Sequence, residues 1–312
     1  MESLRLINLC DAIDSSVKES CNDRVTISFS GGLDSSLVAF IAKKYCDVEL
    51  ISVGTKNSHD LKASETAAEM MGLKLKKIVV DPNDMISEAM ELKKNLKLDP
   101  IEVEFMLPFW IAAKNSNSPV LMCGQGADEL FGGYARFRKS GSKKNLSIEV
   151  SELIERIPKR EKKISEKFNL ELSCPFLSES VVEAGEKYSQ EERIGSIGKE
   201  PLRKAAVRMG LPEEIAKRKK KAAQYGSGSQ KVIRKMMKYK IELQLDFKSK
   251  NIANSIIHAT EPENKGWVET NGDGKSVNAV IKAQNIGTLR EAFEDFMACV
   301  SVAEKVSEQS KE

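Results

Sequence analysis

The chain has 312 residues, 41% of them hydrophobic, and a formal net charge of +3. That length supports one sizeable domain plus a small one, and so slight a charge gives no global field for nucleic acid. No apolar run reaches about 18 residues and no secretion signal opens the chain, so a cytoplasmic protein without a membrane span is expected. Six cysteines (Cys10, Cys21, Cys46, Cys123, Cys174, Cys299) are scattered without a CxxC pair. The pattern points to reduced thiols instead of a disulfide framework or a zinc site. Two histidines, His59 and His258, leave no His-rich metal site.

Residues 4–17 place Leu6, Ile7, Cys10, Ile13 and Val17 on one helical face. Residues 24–28 (RVTIS) read as a short buried strand, and residues 37–45 have the apolar spacing of a helix. Between them runs SFSGGLDSS, residues 28–36. A strand, a tight Gly-Gly turn and a helix start bring backbone N–H groups together at the positive end of a helix dipole. Gly31 and Gly32 let an anion approach the backbone; Ser30, Ser35 and Ser36 add hydroxyl donors, and Asp34 can hold a divalent cation against that anion. The Walker pattern needs Gly-Lys-Ser/Thr, whereas here an Asp follows the glycines. Ser-Gly-Gly-x-Asp-Ser resembles the PP-loop of ATP pyrophosphatases, which split ATP between its α- and β-phosphates.

Strands are expected at 48–53 (ending at Val53 and Gly54), 75–80 and 120–123, with helices at 61–71, 85–96 and 103–114. Strands alternating with helices predict an α/β fold, a parallel sheet covered by helices on both faces. Ligands bind such sheets beyond the carboxyl ends of the strands, where SGGLDSS, SVG and CGQG all fall. GQGADELFGGY, residues 124–134, carries Asp128 and Glu129. A carboxylate at Asp128 opposite Asp34 suits a magnesium ion on a triphosphate.

Together these segments resemble the synthetase domain of asparagine synthetases. SGGLDSS, SVG with Ser58 and Asp60-Leu61, and GQGADELFGGY match it in order and spacing. Pro175-Phe176-Leu177 resembles the family's PFLD, Gly198-Lys199 with Leu202-Arg203 its GKxxLR, and residues 218–228 (RKKKAAQYGSG) a stretch holding an essential lysine. The likeness covers about residues 20–230. It implies ATP and Mg2+ as cofactors, with Ser30, Gly31, Gly32, Ser35 and Ser36 on the pyrophosphate and Asp34 and Asp128 on the metal. Val53, Gly54 and Gly124 would line adenine and ribose. Lys220, between Lys219 and Lys221, would neutralise phosphate charge. The implied reaction is adenylation of a carboxylic acid, aspartate foremost, followed by amide formation with ammonia.

Some positions depart from the family. Gln125 stands where the family has a Glu that is a candidate base toward ammonia, and an amide cannot take that proton. Ahead of Pro175, Glu171 and Arg160 are kept, while Ser173, Ile157 and Lys162 replace family residues and Ser178 replaces the Asp of PFLD. The ATP half is retained and the acid-and-amine half altered. A glutaminase domain is not expected ahead of residue 30, so free ammonia or a separate amidotransferase would serve.

Residues 137–169 turn charged and read as a solvated loop and an exposed helix. Residues 217–240 hold ten Lys or Arg and no acid, either a phosphate or RNA surface or a solvated face. A small α+β domain is expected at 237–312, after an ATP-binding domain at 1–232: a strand at 241–247, a helix at 252–259, a hairpin turning at residues 271–274, and a helix at 289–306. This unit resembles the small dimerising subunit of the KEOPS tRNA-modification complex. That resemblance implies a homodimer and tRNA contact. It supports an alternative, a PP-loop tRNA-modifying enzyme; a nucleotide-binding scaffold with a lapsed site is a third reading.

Overall fold

The computed structural model describes residues 2–98, 100–134, 151–152, 160–218, 226–235, 239–261, 268–283 and 286–309. Two compact units emerge, one of residues 1–96 with 105–229 and one of 97–104 with 230–312.

The first unit is built on a five-stranded parallel sheet in the order β3-β2-β1-β4-β5. Helix α1 (Glu2–Glu19) precedes β1 (Arg24–Ser28) and buries Leu9, Cys10, Ile13 and Val17 along one stripe. In β1, Val25, Thr26 and Ile27 are all fully buried, as expected for a strand covered on both faces. Thr26 is tolerated there because its hydroxyl donates to Glu49 Oε2 at 2.9 Å. Helix α2 (Leu33–Ala42) starts four residues earlier than its apolar spacing predicts, because Gly32 serves as N-cap and Asp34, Ser35 and Ser36 form the first turn. These small polar residues suit the free N–H groups of a helix start.

Strand β2 (Asp47–Gly54) leads to α3 (His59–Met71), whose first turn is capped by the Ser58 hydroxyl and which ends at Gly72 in the left-handed region (φ 65°). Strand β3 (Leu75–Val79) forms one edge, followed by α4 (Pro82–Leu96) and α5 (Pro100–Lys114). The chain then returns across β1 to β4 (Val120–Met122), α6 (Ala127–Leu130), α7 (Glu161–Lys167) and β5 (Glu171–Ser173), the other edge. β5 is only three residues long, too short for a sequence pattern to mark it. Because β2 and β3 lie on one side of β1 and β4 and β5 on the other, the strand order reverses between β1 and β4. Such a switch point opens a crevice beyond the carboxyl ends of the strands. Helix α8 (Glu200–Arg208) completes the elements that serve this crevice.

The second unit contains an antiparallel sheet in the order β6-β8-β7, from β6 (Tyr239–Asp246), β7 (Val268–Asp273) and β8 (Ser276–Ala283). Ile252 and Ile256 of α9 (Lys250–Thr260) join Leu289, Phe296 and Val300 of α10 (Ile286–Gln309) in one core with Ala279 and Ile281 of β8. The hairpin turns later than expected. Asn271 to Asp273 pair with Asn278 to Ser276 as strand, and Gly274 (φ 64°) with Lys275 makes the two-residue turn. Among the described residues no helix is long and apolar enough to cross a membrane.

Candidate active site

At the switch point, the loop after β1 and the loop after β4 each present one carboxylate. Asp34 lies in the first turn of α2 and Asp128 in α6, and both are buried. They meet on one cation. Lys199 Nζ donates to Asp34 Oδ1 at 2.8 Å and Oδ2 at 2.7 Å, and pairs with Asp128 Oδ1 at 2.6 Å. Lys199 is itself only 3% exposed and caps α8 with φ 61°, a left-handed conformation that costs a non-glycine residue energy. Its N–H bonds to the Phe131 carbonyl at 3.1 Å, which fixes the strained backbone beside α6. The site is tightly closed around the pair: a β-carbon on Gly133 would overlap Asp128 Oδ1 and the Lys199 Cε.

The PP-loop-like turn has Gly31 at φ 65°, and a β-carbon there would run into the Ala63 carbonyl of α3. Ser30 and Ser35 hydroxyls face each other at 3.4 Å, and Ser35 Oγ reaches the Gly32 carbonyl at 3.5 Å. Bonds that long are weak. Ser36 Oγ is buried without any hydrogen-bond partner, an orphan of the kind that a bound group commonly satisfies. Arg218 closes the loop from outside: Nη1 donates to the Gly31 carbonyl at 2.6 Å and Nη2 contacts His59 Nδ1 at 3.0 Å. Burial lowers the Arg218 pKa, with Asp60 acting against that shift.

Val53 and Gly54 end β2 in a neighbouring group. Gly54 abuts Ser58 and the Ser227 carbonyl, and Thr55 N–H donates to that carbonyl at 2.9 Å. The segment 226–228 thus closes on the end of β2, with Gly226 against the Asp60 carboxylate and Gly228 against Thr55. Gly124 touches Asp34 directly, since a β-carbon on it would stand 2.7 Å from Asp34 Cβ. Lys220 and its neighbours Lys219 and Lys221 lie outside the described residues.

A family model described as asparagine synthase matches residues 8–162 and 153–266, more than half of the chain. This chain belongs to the asparagine synthase family. The match continues beyond residue 230, where the sequence motifs stop, into the second unit. A glutamine-hydrolysing asparagine synthetase homologue from Methanocaldococcus jannaschii is 33% identical over 273 residues, covering 74% of this chain and 50% of the homologue. Asparagine synthetase 1 of Arabidopsis thaliana, also described as glutamine-hydrolysing, is 28% identical over 229 residues, covering 65% of this chain and 39% of the plant protein. The chain therefore spans about half the length, or less, of these curated relatives. An NMN synthetase structure from Francisella tularensis overlays 72% of this chain and 77% of its own at a TM-score of 0.39 and 11% identity, too loosely to add to the assignment.

Beyond β4 the wall of the site joins Gln125, Glu161 and Arg160. Gln125 Nε2 donates to Glu161 Oε1 at 3.2 Å, and Glu161 has a fully buried side chain. Arg160 completes the group, with Nη2 2.7 Å from Glu161 Oε1 and its guanidinium 4.7 Å from the Phe105 ring centroid. The expected exposed helix thus carries an inward carboxylate. Glu171 is exposed at the start of β5, and Ser173 turns its hydroxyl to Ser20 at 2.7 Å. Sequence reasoning missed Lys199, Arg218, Gly133 and Glu161 as site residues. For Lys199 the signal was present in GKxxLR; its partner Asp34 is 165 residues away, and no local pattern links them.

Proposed function

We propose that the chain is the synthetase part of an AMP-forming carbon–nitrogen ligase, which adenylates a small carboxylic acid, aspartate foremost, and transfers the acyl group to ammonia. The observation that carries the reading is the meeting of Asp34 and Asp128, from two separate loops, on one buried cation at the switch point. Two carboxylates aimed at one positive charge fit a magnesium site. Magnesium takes most of its ligands from phosphate and water, so two carboxylates are enough to hold it there. Asp34 and Asp128 would hold the ion, and it would neutralise charge on the departing pyrophosphate.

The remaining residues position and balance charge, the main work in phosphoryl chemistry. Ser30, Ser35, Ser36 and the N–H groups at the start of α2 would bind the pyrophosphate. Lys199 and Lys220 would serve its negative charge, and Val53, Gly54 and Gly124 would border the nucleoside. A carboxylate oxygen of the substrate attacks the α-phosphorus and pyrophosphate leaves. Ammonia then attacks the acyl carbon and AMP leaves. Gln125, in the asparagine synthase position of a base, can accept a hydrogen bond from the amine without taking its proton. Ammonia would come free or from a glutaminase partner. The second unit is read as a homodimerisation module, and a monomer by light scattering at micromolar concentration would reject that part.

The deciding experiment measures pyrophosphate release from magnesium-ATP, with aspartate plus ammonia in one set and total tRNA in another. Release in the first set that is lost in Asp34→Ala supports the ligase. Release only with tRNA would replace it with the tRNA-modifying reading, and ATP binding without turnover in either set would favour a scaffold.

A further inference from the structure

Cys123 and Cys174 lie one residue beyond the last paired residues of β4 and β5, Met122 and Ser173. The Cys123 N–H donates to the Ser173 carbonyl at 3.0 Å, which keeps the two strands together at this point. The sulfurs are 3.5 Å apart although 51 positions separate the residues in the chain. Neighbouring strands run about 4.8 Å apart, within the roughly 4.4–6.8 Å between α-carbons that a disulfide spans. Both thiols are free, Cys123 buried and Cys174 partly exposed. Neither is among the residues assigned above to the nucleotide or the metal.

We propose that Cys123 and Cys174 are an oxidisable dithiol, a modification site whose closure to a disulfide disables the nucleotide loop. The two sulfurs have different parts. The Cys174 pKa is pushed well up by its hydrogen bond to Cys123, then by burial and by the charges of Cys123 and Glu161. Either sulfur can donate in this contact, and Cys123 is proposed to be the one that meets the oxidant. A peroxide is the oxidant. The Cys123 sulfur attacks one peroxide oxygen, the O–O bond breaks, and water leaves a sulfenic acid behind. The Cys174 sulfur then attacks the Cys123 sulfur, the S–O bond breaks, and the hydroxyl departs with the Cys174 proton as a second water. Two thiols and one hydrogen peroxide yield one disulfide and two waters.

Closure has a cost for the site because the sulfurs must approach to about 2.05 Å. Cys123 runs directly into Gly124, and a β-carbon on Gly124 would already stand 2.7 Å from Asp34 Cβ and 3.0 Å from the Ser35 nitrogen. Because β5 lies on the side of β4 opposite β1, a shift of Cys123 toward β5 draws Gly124 away from the first turn of α2 and loosens the close packing that holds Asp34. A second thiol pair gives an internal control. Cys21 and Cys46 also lie close enough for each thiol to influence the other, but they precede β1 and β2 at the opposite end of the sheet.

The test treats the full chain with hydrogen peroxide, blocks remaining thiols with a maleimide, maps peptides, and titrates a fluorescent ATP analogue with magnesium. Expected are a Cys123–Cys174 cross-linked peptide and about tenfold weaker analogue binding, restored by dithiothreitol. Cys174→Ser and Cys123→Ser should each abolish both effects, with reduced-state melting curves confirming that at least one is folded. The double variant Cys21→Ser, Cys46→Ser should retain both. A cross-link confined to Cys21 and Cys46, Cys123 carried to sulfinic acid without a cross-link, or a cross-link that leaves binding unchanged would each overturn the proposal. The disabling step rests on the nucleotide reading. Failure of the reduced protein to bind the analogue would remove that reading and with it the disabling step, while the peptide map reports the dithiol independently.

Discussion

Lys199 grips both oxygens of Asp34, at 2.8 and 2.7 Å, from a backbone held in the left-handed region. With Asp128 at 2.6 Å on the same ammonium, two buried negative charges share one positive charge. A buried ion pair broken on one side leaves an uncompensated charge, which costs about 3–5 kcal/mol. Lys199→Met should therefore lower the melting temperature strongly, and millimolar magnesium should restore a large part of it by taking the place of the ammonium. Melting curves with and without magnesium check this. An unshifted midpoint in Lys199→Met would show that the triad contributes nothing to stability.

Gly133 and Gly72 separate two kinds of glycine. A methyl group on Gly133 meets Asp128 and Lys199, whereas Gly72 has φ 65° and nothing within 4 Å. Gly72→Ala should cost about 1–2 kcal/mol from the left-handed backbone alone and leave nucleotide binding intact. Gly133→Ala should weaken nucleotide binding by about tenfold or more. Equal binding by the two variants would contradict the geometry.

Gln125 shares a hydrogen bond with a buried carboxylate, so a glutamate is badly suited to this position. Gln125→Glu would set a second carboxylate against Glu161. Like charges in contact raise a carboxyl pKa in the folded state above its unfolded value of about 4.3. The folded variant then holds more protons, so its stability relative to the parent falls as pH rises from about 4. Denaturant melts from pH 4 to 8 should show a widening gap, and Glu161→Gln in the same background should close it.

Thiols contribute to the alkaline limb of stability. Burial pushes the Cys21 pKa up to about 12, with help from Cys46, and burial also raises Cys10 and Cys46. Unfolded thiols ionise near 8.5. Between these values the unfolded chain binds fewer protons than the folded one, so stability falls as pH rises above about 8.5. Cys21→Ser should flatten the decline in melting temperature between pH 8 and 10.5.

Much of the fold was legible because its central strands are apolar and bounded by turns. Arg24–Ser28 coincides with the expected strand, since every residue from Val25 to Ile27 is buried and Asn22-Asp23 punctuates its start. The helix after the loop began early because its first turn is polar, and polar residues carry no apolar period. The hairpin shifted because Asn271-Gly272 looks like a turn, while Gly274 has the required positive φ. The carboxylates of the site were legible through their glycine-rich loops. Their partner Lys199, the Gln125–Glu161 bond and the Cys123–Cys174 contact join residues dozens to more than a hundred positions apart, and a linear pattern cannot encode which of many side chains will meet.

The edges of the parallel sheet bear on how the protein behaves in a crowded solution. Strand edges offer unpaired amide groups to other chains, and natural sheets blunt them with short strands and charge. Here β5 ends after three residues, and β3 places Lys76 and Lys77 in its middle, with Lys77 paired to Glu65 and Lys76 bonded to the Asn115 carbonyl at 2.8 Å. A neighbouring molecule seeking to add a strand would find three residues on one side and two lysines, one on each face, on the other. Replacing both lysines with valine would leave β3 a continuous apolar ribbon, LVVIV, and turn a guarded margin into a nucleus for fibrous aggregates.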